Sequence, residues 1–180
     1  MPNLIKRTVL GVDPSIERTT AANRAEKPGA VANAPATSSI NLLSPRNGGR
    51  LLVAPHQKWE LLTDDEEQGY NFEQDEEGVW GFKDGRSAFL ESFAILIKRT
   101  SNSNVREVEL FYGNDDPYGK FESIGKFKTR NVLMVETPYQ EFTFAPVRAK
   151  YFKVLFLSNH SKDGSGGMTV PEFRLFGRLE

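Results

Sequence analysis

Residues 151–157 constrain this chain most. Read as a strand, they put Phe152, Val154 and Phe156 on one face and Tyr151, Leu155 and Leu157 on the other. A strand apolar on both faces must be covered on both sides, which predicts a central strand. The flanking sequence is built around it. Gln140, Phe142 and Phe144 alternate with Glu141 and Thr143, the period-two pattern of a half-buried strand, and Pro146 is expected to end it. Residues 158–167 collect Ser, Asn, His, Lys, Asp and Gly and read as a loop. Phe173 and Leu175 then return to the core as a short last strand.

The rest of the chain repeats this rhythm. Strands are predicted at Arg50 to Ala54, Val79 to Phe82, Phe93 to Ile97, Val108 to Tyr112, Phe121 to Phe127 and Val132 to Val135, separated by turn signals such as Asn47-Gly48-Gly49 and Lys83-Asp84-Gly85-Arg86. Trp59 to Leu62 is a brief apolar piece. An acidic loop opens at Asp64-Asp65-Glu66-Glu67 and runs on to Glu77. About eight strands and no long helical pattern predict an all-β fold, an antiparallel two-sheet β-sandwich or a barrel. Thirteen Phe, five Tyr and two Trp in 180 residues give it ample core area.

Residues 1–39 differ from this. Leu4 to Val12 could form one short strand, but Ala, Thr, Asn, Pro and Gly follow without periodicity, so the segment reads as a flexible N-terminal arm or linker. Such an arm is a route to oligomers by exchange between chains. The domain proper is expected over residues 40–178. Val9-Leu10-Gly11-Val12-Asp13-Pro14 has the look of a nuclease first strand, yet a lone Asp makes no metal site.

Charge and composition exclude several classes. A net charge of −1 supplies no field for nucleic acid or anionic membranes. The chain has no Cys, which removes disulfides, thiolate metal sites and Cys nucleophiles and leaves the compartment undetermined. No apolar run is long enough to span a bilayer, and Met1 to Val12 lacks the apolar core of a secretory signal. Gly-x-Ser-x-Gly, phosphate-cradling and His-Glu-x-x-His motifs are missing, so the chain is not expected to be an enzyme. Lys126, Lys128 and Arg130 alternate at a strand end but are flanked by Glu122 and Glu136, as a solvated face would be.

Three stretches carry a family likeness: Val79-Trp80-Gly81-Phe82-Lys83-Asp84-Gly85; the run from Phe142 through Ala145-Pro146-Val147-Arg148-Ala149-Lys150-Tyr151 to Val154; and Glu172-Phe173-Arg174-Leu175-Phe176-Gly177. Together they resemble the discoidin, or coagulation factor 5/8 type C, group of galactose-binding-like jelly rolls. The resemblance covers Ile40 to Gly177. It implies a non-catalytic binding module, most often for carbohydrate. It also implies a structural calcium, with Asp64, Asp65 and Glu172 at the matching positions. The chain departs from the pattern in having Asp64-Asp65 where Asp-Gly is usual and in lacking the Trp that follows.

Oxygen-rich acidic loops suit calcium, and they are also common as plain solvated surface. Sugar recognition needs an aromatic face together with planar donors and acceptors for hydroxyls. His56, Trp59, Arg99, Asn102, Asn104 and His160 would supply these if their loops shared one rim. The alternative for Trp59 is core packing, and for each His an ordinary surface position. A second function stays open on the same sandwich, a protein-interaction or assembly module with no sugar site. An exposed aromatic beside hydrogen-bonding side chains favours the first reading, and a broad apolar patch favours the second.

Overall fold

The structure, a computed structural model, describes residues 38–132 and 139–180. The arm expected over residues 1–39 falls almost wholly outside them, as do the strand and nuclease-like phrase within it and most of the strand expected at Val132 to Val135. Residues Thr37–Glu180 form one compact unit.

Eleven strands run through the described residues: β1 (Ile40–Asn41), β2 (Arg50–Val53), β3 (Tyr70–Phe72), β4 (Glu77–Gly81), β5 (Ala88–Leu96), β6 (Val105–Gly113), β7 (Glu122–Lys128), β8 (Tyr139–Ala149), β9 (Tyr151–Asn159), β10 (Met168–Val170) and β11 (Phe173–Leu179). A four-stranded sheet has the order β1-β11-β5-β8, a five-stranded sheet the order β2-β4-β9-β6-β7, and β10 pairs with β3. Every one of these pairings is antiparallel. The only helical segments described are three 3-10 turns, Pro45–Asn47, Gln57–Leu62 and Lys83–Gly85. This is the expected all-β, two-sheet sandwich.

The two main sheets bury their facing sides in one core. Phe93 lies between Phe142 and Phe173, stacked at 4.8 and 5.4 Å, and Phe152 reaches across to Phe173 at 5.8 Å. β9 is the middle strand of its sheet, as its sequence requires, but only one of its faces meets the core. Phe152, Val154 and Phe156 are fully buried, whereas Tyr151, Leu155 and Leu157 stay half-buried on the outer side. No second layer is needed there. Lys153, ion-paired with Glu77 at 3.0 Å, lays its ammonium over Phe111 and Phe121 at 4.6 and 5.1 Å, so long polar side chains shield that face.

Pro146 does not end its strand. β8 runs through it to Ala149, because β8 is the edge of its sheet and a missing N–H there breaks no ladder. The register with β5 slips at that point, from Ser92 opposite Thr143 to Leu90 opposite Val147, which marks an irregularity of the bulge kind. The short strands β3 and β10 also differ from expectation: the acidic stretch contains the half-buried Tyr70 and the buried Phe72, and these residues pair with Val170 and Met168. On β7, Lys126 and Lys128 pair with Glu109 and Glu107 of β6 at 3.6 and 3.0 Å, the solvated face that was anticipated.

Gly78 of β4 explains how two tryptophans fit side by side. A Cβ at this position would come within 2.4 Å of the Trp59 ring and 2.8 Å of the Trp80 ring. Gly78→Ala should therefore lower stability by about 1–3 kcal/mol through overpacking. Urea melts would check it, and an unchanged midpoint would show that the indoles can move aside.

Candidate functional site

The antiparallel registers collect several turns at one end of the sandwich. β6 begins at Val105, opposite Asn159 near the end of β9, and the bridge between Asn104 and Thr169 brings in the start of β10. The loop between β5 and β6 and the loop between β9 and β10 therefore form a shared rim, closed by the His160 N–H donating to the Asn104 carbonyl at 3.1 Å.

Local hydrogen bonds hold this rim. The buried Asn104 donates from Nδ2 to the Arg99 carbonyl at 2.7 Å and to Asn131 Oδ1 at 3.0 Å. Asn131 Oδ1 also accepts from the Ser101 N–H at 3.0 Å. Ser101 and Ser103 hydroxyls are 2.9 Å apart, Ser103 Oγ is 3.1 Å from Thr169 Oγ1, and Thr169 Oγ1 donates to Asn71 Oδ1 at 2.8 Å. In the other loop, Asn159 anchors Ser161 and Ser165. Hydrogen bonds from Ser165 and Ser161 hold the exposed Asp163 carboxylate down to about 2.

Between the β5–β6 loop and β10 lies an open pocket of about 310 Å³, lined by Gln68, Lys98, Arg99, Ser101, Ser103 and Thr169 among others. Arg99 faces it directly, and Asn104 lines its floor while spending its amide on the loop. Asn102 is exposed on the same loop. His160 is set back from it. Its Nε2 is 3.1 Å from Thr129 Oγ1, and because that hydroxyl donates to the Val105 carbonyl, the ring nitrogen must be the donor. Burial, with Arg106 nearby, lowers the affinity of His160 for a second proton, so the ring is a neutral strut for the rim.

Two of the proposed sugar contacts lie elsewhere. Trp59 is fully buried, packed on Phe72, Trp80 and Phe156 at 4.8, 5.9 and 5.3 Å, so neither face of its ring is open to a ligand. The brief apolar piece from Trp59 to Leu62 lies in the 3-10 turn Gln57–Leu62, which drives Trp59 and Leu62 inward. His56 caps that turn, edge-on to Tyr70 at 5.9 Å and 3.6 Å from Glu76, and it does not line the rim pocket. Sequence reasoning missed Lys98, Ser101, Ser103, Thr169 and Gln68. The polar run Ser101 to Asn104 was the only signal pointing to any of them, and Thr169 and Gln68 join only because β3 pairs with β10.

No family model matches the sequence, and a search of curated proteins finds no match. Solved structures do. The C-terminal domain of a chitobiase from Bacteroides fragilis superposes with a TM-score of 0.60 at 13% identity, covering 79% of this chain and 99% of that one. A family 32 carbohydrate-binding module from Clostridium perfringens, solved with GalNAc-β-1,3-galactose, gives 0.55 at 15% identity, covering 73% of this chain and 96% of that one. The family 32 module of C. perfringens NanJ, solved with galactose, gives 0.54 at 12% identity with the same coverages. The fold is that of the galactose-binding-like, discoidin-type jelly roll.

The resemblance set Asp64, Asp65 and Glu172 as calcium ligands, and the surroundings of Glu172 bear on that expectation. Glu172, between β10 and β11, is fully buried, and neither of its carboxylate oxygens has a hydrogen-bond partner. Burial pushes it up to about 8. The Arg174 guanidinium pulls the other way, and the negative charges of Asp65 and Asp64 add to the rise. Asp65 sits in the left-handed region at φ 67° and is held by Ser44 Oγ at 2.5 Å and Asn41 Nδ2 at 3.4 Å. Among the described residues no three His, Cys, Asp or Glu side chains are grouped to hold a metal. A cation here would therefore rest on the Glu172 and Asp65 carboxylates completed by neutral oxygens, as calcium accepts, with Asp64 contributing charge. The orphaned Glu172 carboxylate fits that role. Its competitor is Arg174 Nε, 3.8 Å from Glu172 Oε1.

Proposed function

We propose that this protein is a non-catalytic carbohydrate-binding module that takes its ligand at the rim between the β5–β6 loop and β10. The observation that carries this is the rim pocket, where Arg99, Ser101, Ser103 and Thr169 converge on a rigid sandwich with their positions set by Asn104 and Asn131. A saccharide is a dense array of hydroxyls, and a shallow, open, polar depression matches it better than an enclosed apolar cavity does. The similar solved modules, two of them holding galactose-containing ligands, support the reading. Among the described residues, the lining has no carboxylate pair with which to hydrolyse a glycosidic bond. Among the described residues, the exposed large hydrophobics are Leu52, Leu61, Phe89, Tyr118 and Val132, each on a different segment of the chain. We further propose a structural calcium at Glu172 and Asp65, where it would tie the start of β11 to the acidic loop and take no part in sugar contact.

A glycan array, probed with and without calcium, followed by calorimetry on the best saccharide, tests the module. Arg99→Ala should weaken that saccharide by about tenfold, the loss of one or two charge-assisted hydrogen bonds, and leave the melting temperature unchanged. An array with no bound glycan, or a tight ligand indifferent to Arg99→Ala, would remove this pocket as the site.

A further inference from the structure

The rim pocket is unusual for a sugar site in what it offers. Among the described residues, its lining includes two cations, Lys98 and Arg99, and no carboxylate or aromatic ring. Among the described residues, neither cation forms an ion pair, although seven other Lys and Arg side chains do. Glu66 is joined to the lining, accepting from Gln68 Nε2 at 3.0 Å. Across the rim, Asp163 is held by its own loop serines.

The hydroxyls are also committed. Thr169 Oγ1 has one proton to give to Asn71 Oδ1 or to Ser103 Oγ, and the Ser103 and Ser101 hydroxyls lie 2.9 Å apart, so all three hydroxyls already have partners within the lining. Among the described residues, the Lys98 ammonium and the Arg99 guanidinium are the lining's donors with no hydrogen bond of their own, and Gln68 keeps one amide proton beside them. A neutral hexose has nothing to stack on here, and each neutral hydrogen bond it makes replaces one it had with water. An anionic group on the sugar gains the stronger charge-assisted bonds and supplies the acceptors this pocket lacks.

We propose that the pocket takes a saccharide bearing an acidic group, a uronate carboxylate or a sulfate ester, with Lys98 and Arg99 as its counter-ions. The inference rests on the carbohydrate reading above and narrows it to acidic glycans. It is tested by titrating the whole protein with three trisaccharides: a galacturonate, a sulfated galactan and the matching neutral galactan. At low salt at least one acidic trimer should bind roughly tenfold or more tighter than the neutral one. The preference should shrink as salt screens the pair, and the double variant Lys98→Gln, Arg99→Gln should abolish it. A neutral trimer that binds as tightly as the acidic ones, or a preference that survives the double variant, overturns the proposal and leaves the carbohydrate module standing. Displacement of the acidic trimer by an equal concentration of free sulfate also overturns it, since the site would then read charge and not sugar. If no trimer and no array glycan binds, both readings fall together.

Discussion

Trp59→Ala should destabilise the domain by about 3–5 kcal/mol, the cost of emptying a site filled by a large buried ring. The indole touches Phe72, Trp80 and Phe156, which belong to three different strands, so the cavity cannot close by the shift of one neighbour. Denaturant melts measure the loss. Trp59→Phe should recover most of it, because the indole N–H is buried without a partner and its removal relieves an unpaired donor. Saccharide affinity of the Phe variant should equal that of the wild type. A variant that kept its stability and lost its ligand would return Trp59 to the binding site.

Glu172 should make stability fall with pH when calcium is chelated. Its folded value is raised from 4.5 to about 8, so the folded protein keeps a proton that the unfolded chain has already released. The stabilisation is therefore complete below about 4.5 and is lost as pH rises through about 8, by an amount on the order of 3–5 kcal/mol. Glu172→Gln carries no charge to bury and should flatten that slope, being more stable than wild type at pH 8.5 in chelator. Calcium should reverse the ranking. It would stabilise the ionised wild type by about RT ln(1 + [L]/Kd), or ~2.7 kcal/mol at a hundredfold excess over Kd, and leave the Gln variant unmoved. Overlapping wild-type melts in calcium and in chelator would leave the Arg174 guanidinium as the only positive charge that Glu172 meets and remove the metal.

These two residues show how differently sequence and structure inform one another here. Asp64, Asp65 and Glu172 were grouped by a family likeness; the charges of Asp65 and Asp64 act on Glu172, but no three acids are grouped among the described residues. His56 was grouped with the rim as a loop residue and Trp59 for its aromatic face, with core packing as its alternative. Nothing in the local sequence shows that the 3-10 turn there points its ring into the core.

What the sequence alone determined was whatever depends on near neighbours. Period-two alternation at 140–144, the apolar run at 151–157 and the Gly, Asn and Asp turns read correctly as strands and loops, because side-chain direction along a strand and turn conformation are local properties. That much sets the all-β class and the central place of β9. Tertiary pairing decided the rest. Pro146 passes through β8 because, among the described residues, β8 has no partner on its outer edge. The outer face of β9 is shielded by Lys153 because Glu77 and Phe111 come beside it from other strands. The rim pocket exists because β10, pairing with a strand hidden in an acidic stretch about a hundred residues earlier in the chain, carries Thr169 to Ser103. Contacts between residues so far apart are chosen by the folding of the whole chain, and no local pattern records them.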